Sequence, residues 1–283
     1  MKIFFEKPYL AFLILPIALT AASAGRAQEG VENSLEPTPT ATQKPVESQV
    51  IRVAPPVATL VKELERSEIF GRSVQGRPLR AHVLGEGPEV TFIFAAVHGN
   101  ETATPYQVEQ LRAHLKRHPE LLRNRRVVLV PVVNPDGLQV KSRLNARGVD
   151  INRNYPGSWR RPRRGERFRP GSSAASEPET QAMIRLTNKY RPHKIVSIHQ
   201  PLHCVTYSGQ RSRTLARVIA GKNGYPLKTS IGYPTPGGFG AYCNLILKTA
   251  VVTLELPWQS PQAAWRRNAP ALLAAIAFPQ ARG

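Results

Sequence analysis

Two side chains with metal-binding groups stand three residues apart at the end of an apolar run. They are His98 and Glu101 in Phe92–Glu101, FIFAAVHGNE. Imidazole nitrogen and carboxylate oxygen suit zinc, and a catalytic zinc site takes three protein ligands and keeps one position open. His199, directly after the run Lys194–Ile198, is the natural third ligand, with His203 its rival on spacing. Taken singly, each histidine is as readily a hydrogen-bonded structural residue. Glu255 lies inside the apolar run Val251–Leu256, where a carboxylate is costly unless paired or bound. An ion pair with an arginine would explain it, and so would the role of a general base beside an activated water. In Gly148–Pro156, GVDINRNYP, polar groups crowd without helical or strand alternation. Arg153 supplies a planar fork that can pair both oxygens of a carboxylate, and Asn152 adds donors; a surface loop has the same composition.

The elements around these residues alternate. Thr59–Ser67 has helical periodicity, and Gly71–Gly85 is a glycine-rich turn leading into a strand. Val90–Val97 reads as a central strand and Thr102–His118 as a helix closed by Pro119. Arg126–Val133 is a second buried strand, ended by the turn Asn134–Gly137. Ser176-Glu177-Pro178-Glu179 has the form of a capping box opening a helix to about Tyr190. A short strand Lys194–Ile198, a helix Thr214–Ala220, a strand Ala250–Leu256 and a helix Ala263–Phe278, kinked or split by Pro270, follow. Strands apolar throughout, alternating with helices, predict an α/β fold. It is a three-layer α/β/α arrangement with a mixed, mostly parallel central sheet. Strand ends are where such sheets bind ligands, which is where His98 and His199 fall.

Composition bounds the setting. Among 283 residues, 39 Lys and Arg stand against 19 Asp and Glu, a formal charge of +20. Lys2 and Lys7, the apolar stretch Leu10–Thr20 and Ala22-Ser23-Ala24 give residues 1–24 the form of a signal peptide, with a second cut available after Ala27. The apolar stretch is short of the roughly 20 residues a span needs, so no transmembrane anchor is expected after cleavage. Residues 25–58 read as a disordered Pro/Thr-rich linker, and residues 59–283 as one domain. The protein is therefore expected to be exported, periplasmic or secreted. Anionic envelope polymers suit its charge better than a specific nucleic acid, since no aromatic-interleaved motif accompanies the Arg160–Arg169 loop. A merely solvated loop accounts for that cluster as well. Cys204 and Cys243 are as compatible with a disulfide as with two free buried thiols.

HGNE, NPDG, GVDINRN, SIH and TLEL occur in this order between His98 and Leu256, and together they resemble the zinc carboxypeptidase family. The segments GRSVQGRPL, NARGVDINRNYP, SEPET, SIHQPL and YPTPGGFG are similar to its murein peptide amidase subgroup. The resemblance implies one zinc ion per chain, held by His98, Glu101 and His199, with Glu255 as general base. It also implies that Arg143 (or its rival Arg147) polarises the scissile carbonyl, and that Asn152 and Arg153 clamp a substrate carboxylate. Asp150 would orient His98. Tyr233 would be a mobile substrate-covering tyrosine, unless it is only a packed loop aromatic. A cis bond is implied at Gln200–Pro201. The expected function is hydrolysis of an amide next to a free carboxylate, in murein peptides at γ-D-Glu–meso-diaminopimelate. A general carboxypeptidase on ordinary peptides and a non-enzymatic wall-binding protein are the rivals.

Overall fold

A computed structural model describes residues 65–279; the proposed signal peptide and linker lie outside these residues. Strand β3 (Glu89–Ala95) shows how the centre is built. Phe92 and Phe94 enter one apolar core, and Ile93 and Ala95 enter the other. Successive strand side chains point to opposite faces, so a strand covered on both sides must be apolar throughout. The apolar residues of β4 (Arg125–Val130), β5 (Lys194–His199) and β8 (Ala250–Glu255) likewise divide between the two cores. Two hairpin strands, β1 (Glu65–Arg72) and β2 (Pro78–Leu84), precede them, and β6 (Cys204–Ser208) and β7 (Leu227–Lys228) complete eight.

The sheet order is β1-β2-β4-β3-β5-β8-β6-β7. β4, β3, β5 and β8 run parallel; β1, β2 and β6 enter antiparallel. The mixed, mostly parallel expectation therefore holds at the centre, and the antiparallel pairs lie towards the edges. One face is covered by α1 (Thr104–Arg117), α4 (Arg213–Asn223) and α6 (Pro261–Ala277). These bring Val108, Leu111, Leu215, Ile219, Leu272 and Ile276 to the first core. The other face is covered by α3 (Pro178–Tyr190), whose Met183 and Leu186 pack against Phe92 and Phe94. Two short helices, α2 (Pro135–Gln139) and α5 (Phe239–Tyr242), belong to loops at the site.

Local readings differ from the structure in four places. Residues 65–67, expected to be helical, begin β1, because pairing with β2 overrides a weak local pattern. Glu65 bonds Arg112 of α1, and Glu68 bonds Tyr190 of α3, so opposite faces of this strand are tied to opposite layers. The Asn134–Gly137 turn is the start of α2, with the Asn134 side chain accepting from the Gly137 amide at 2.9 Å. The capping box does not form: Glu177 holds the N-cap position of α3, Ser176 donates to Glu177, and Glu179 accepts from the Val74 amide and from Asn145. Pro270 neither splits nor ends α6; it sits on the exposed side, where the loss of one backbone bond is least costly.

Candidate active site

Parallel pairing aligns the carboxyl ends of three strands. Ala95 of β3 lies opposite Ile198 of β5, and His199 lies opposite Glu255 of β8. The chain leaving β3 turns at Ala96, in the left-handed region at φ 49°, and enters the HGNE segment. This segment is held from both sides. Asn134 donates its backbone amide to the Ala96 carbonyl at 2.9 Å, and the Thr104 hydroxyl donates to the Glu101 carbonyl at 2.8 Å. Gly99 is required by close approach, because a Cβ there would lie 2.0 Å from the Gly137 carbonyl carbon.

His98, Glu101 and His199 converge below the surface, with one donor atom from each within 4.8 Å of the others. His98 Nδ1 lies 2.6 Å from Glu101 Oε1, and His199 Nδ1 lies 3.0 Å from Glu101 Oε2. Burial works against charge on Glu101, but the two imidazoles overcome it and hold the carboxyl below its usual range. Burial likewise opposes charge on His98, and Glu101 and Asp150 outweigh it and raise its pKa. His203 is exposed, packs edge-on against Tyr225, and takes no part in the group. His199 is thus the histidine that geometry brings to His98 and Glu101.

Asp150 links this group to the arginines. His98 Nε2 donates to Asp150 Oδ1 at 3.1 Å, which leaves Nδ1 facing the cluster. Arg143 Nη2 lies 2.9 Å from Asp150 Oδ2 and its Nε donates to the same oxygen. Arg147 instead reaches towards Glu177, 3.7 Å away. Of the two rival arginines, Arg143 lines the pocket and Arg147 does not.

That pocket, about 290 Å³, gathers His98, Glu101, His199, Glu255, Asn152, Arg153 and Tyr233 with Arg143. Glu255 is buried, which raises its pKa; His199 pulls it down and Glu101 pushes it up. Asn152 Oδ1 accepts from the Phe239 amide at 2.9 Å, so its amide nitrogen is the end left for a ligand. Arg153 is 5% exposed, and its buried Nε has no partner among the described residues. Burial lowers the Arg153 pKa, partly offset by Asp150, and a guanidinium so placed has donors to spare for a planar anion. Tyr233, 48% exposed, stands at the rim. One wall was not foreseen from sequence: half-buried Thr206, Tyr207 and Ser208 of β6 and Thr253 of β8. The run Cys204–Ser208, rich in β-branched and aromatic residues, carried the signal for that strand. Apart from Glu101 and Glu255, no acidic residue among the described residues lines the pocket.

Residues 56–229 match the family described as zinc carboxypeptidase. Murein peptide amidase A of Escherichia coli (strain K12) is 36% identical over 207 residues, 68% of this chain and 81% of that protein. The chain belongs to the zinc carboxypeptidase family. The enzyme of the same name from Vibrio campbellii is 32% identical over 203 residues, 66% of this chain and 78% of that one. Among solved structures, murein-tripeptide amidase from Escherichia coli O157 aligns with a TM-score of 0.57 at 31% identity, covering 74% of this chain and 91% of the other. Carboxypeptidase A from Helicoverpa armigera aligns at 0.66 and 18% identity, covering 80% and 72%; this second likeness concerns the fold.

Membership makes the protein a zinc-dependent hydrolase and sets aside the non-enzymatic wall-binding reading. Two imidazoles and one carboxylate, buried and converging, are a donor set that fits zinc. Glu255 and Tyr233 lie beyond the matched residues, yet both reach the pocket. The Gln200–Pro201 bond is cis, as the resemblance implied. Cys204 and Cys243 are both free and buried. No helix among the described residues is long and apolar enough to cross a membrane.

Proposed function

We propose that this protein is an exported metallopeptidase that cuts the amide between γ-D-glutamate and meso-diaminopimelate in murein peptides. The observation carrying the reading is one pocket that joins a His-Glu-His cluster, a buried carboxyl of raised pKa and a partly unpaired buried arginine. The murein peptide amidases at 36% and 32% identity support the substrate class. The wall of Thr206, Ser208 and Thr253 supports a polar side chain on the residue released. A Lys- or Arg-selecting carboxypeptidase would need an acid there. Export rests on the basic and apolar amino-terminal sequence.

His98, Glu101 and His199 would hold one zinc ion, which supplies Lewis-acid polarisation of a carbonyl and activation of a water. Arg153 and the Asn152 amide hold the terminal carboxylate, which places the scissile amide at a set distance from the clamp. Glu255, raised in pKa by burial, accepts the proton of the attacking water and passes it to the departing amine. Arg143, kept in place by Asp150, donates to the oxygen on which charge develops. Tyr233 covers the bound substrate.

Purified muropeptides digested with the zinc-loaded protein test this, with the released amine identified by mass. Release of diaminopimelate from the tripeptide is expected. Turnover of hippuryl-type peptides with none of muropeptides would reject the murein substrate and retain the carboxypeptidase.

A further inference from the structure

Beside the catalytic pocket lies a second, more open cavity of about 650 Å³. The two share Arg143, Arg153, Tyr233 and Pro234. Five arginines line the second cavity, Arg143, Arg153, Arg160, Arg167 and Arg169, against two carboxylates, Asp150 and Glu166. Both carboxylates are already engaged. Asp150 is taken by His98 and Arg143. Glu166 is gripped by both terminal nitrogens of Arg160, each at 2.6 Å, and accepts from the Arg163 amide. The Arg160 fork and that amide hold the Glu166 carboxyl down to about 2. Arg160 also lies over the Phe168 ring at 5.0 Å. The loop is fastened to the site at its far end, where the Asp150 amide donates to the Arg169 carbonyl at 2.8 Å. The guanidinium groups of Arg167 and Arg169 are exposed and have no acidic partner among the described residues. A loop whose one acid is consumed internally, and whose remaining cations face a cavity, is arranged for an incoming anion.

We propose that Arg167 and Arg169, reached from the catalytic pocket past Arg143, bind a second carboxylate of the same substrate on the acyl side of the scissile amide. The Thr206–Ser208 wall, which takes up the residue that is released, lines the catalytic pocket and not the second cavity, so the acyl portion is left the side that the two cavities share. This inference rests on the murein reading. A γ-linked D-glutamyl residue keeps its own α-carboxylate free near the amide that is cut, whereas an α-linked residue without an acidic side chain has none there.

The test is binding by calorimetry to the zinc-loaded Glu255→Gln protein, so that slow turnover does not interfere. L-Ala-γ-D-Glu-diaminopimelate is compared with its analogue bearing a carboxamide in place of the glutamyl α-carboxylate. The free carboxylate is expected to bind about tenfold more tightly, and adding Arg167→Gln with Arg169→Gln should bring the two peptides to within about twofold of each other. Arg161→Gln with Arg164→Gln removes equal charge outside the cavity and should keep the preference. Zinc content equal to the parent's verifies that each variant is folded. An unchanged preference in the Arg167/Arg169 variant, or equal loss in the Arg161/Arg164 variant, overturns the proposal. If the tripeptide fails to bind while hippuryl-type peptides do, the murein reading falls. The same comparison, made with N-acyl α-peptides carrying Glu or Gln before the terminal residue, then decides the arginines on their own.

Discussion

At the scale of single residues, the roles proposed for Glu255 and Arg143 differ, and their variants separate them. Glu255 lies opposite His199 across the β5–β8 pair and belongs to no converging ligand set among the described residues. Glu255→Gln is therefore expected to keep zinc at the parental content while turnover drops by about 10²–10⁴-fold. Metal analysis beside a peptide assay checks this, and near-parental turnover would remove Glu255 from proton transfer. Arg143→Gln should lower kcat by roughly 10²–10³-fold, the usual effect of losing an oxyanion donor. Arg147→Gln is the matched control, because its side chain is 56% exposed and turned to Glu177. A larger loss from Arg147 than from Arg143 would reverse the assignment. Both proposed roles depend on position beside the cluster, and residue type by itself does not distinguish these two arginines.

At the scale of elements, the site is a junction of strand ends and loops packed backbone to backbone. Gly99 lies against Gly137 so closely that an added Cβ would meet its carbonyl carbon at 2.0 Å and its oxygen at 2.3 Å. Backbone cannot swing aside as a long side chain does. Gly99→Ala should therefore destabilise the fold by about 1–3 kcal/mol, the cost of an overpacked contact, and displace His98 and Glu101 on either side of it. Urea unfolding with zinc analysis tests both effects; parental stability and zinc content would show that the β3 loop and α2 are not locked together. Gly237 plays a comparable part on the other wall. At φ 68° it passes the Arg153 carbonyl, where a Cβ would stand at 2.0 Å. Each glycine stands in a motif that the sequence shows, HGNE or YPTPGGFG, but the partner it touches comes from elsewhere in the chain.

At the scale of the whole molecule, His98, Glu101 and His199 leave two neighbouring strand ends, so a metal ion held by them would tie the centre of the sheet together. Anything that binds only the folded state stabilises it, by about 4 kcal/mol when the free ligand stands a thousandfold above its dissociation constant. Chelation should accordingly lower the thermal midpoint and abolish turnover together, and zinc should restore both. An unchanged midpoint on metal removal would mean that the cluster does not bind zinc tightly in the folded protein. The basic charge of the chain is concentrated partly in the loop beside the site, so substrate affinity should be governed by screening over about 10 Å at 0.1 M salt.

The amino-acid sequence by itself determined the chemistry on offer: two imidazoles and two carboxylates at the ends of apolar runs, and an arginine in a polar loop. It also determined the central strands, because burial on both faces leaves an unbroken apolar signature that short-range pattern carries. The motifs already implied His199 and Arg143, and the tertiary structure brought those two, rather than His203 and Arg147, to the pocket. It also set β6 as a wall of the pocket. Those choices depend on which strand pairs with which and on where a loop is fastened. Such contacts join residues far apart in the chain, and local pattern does not record them.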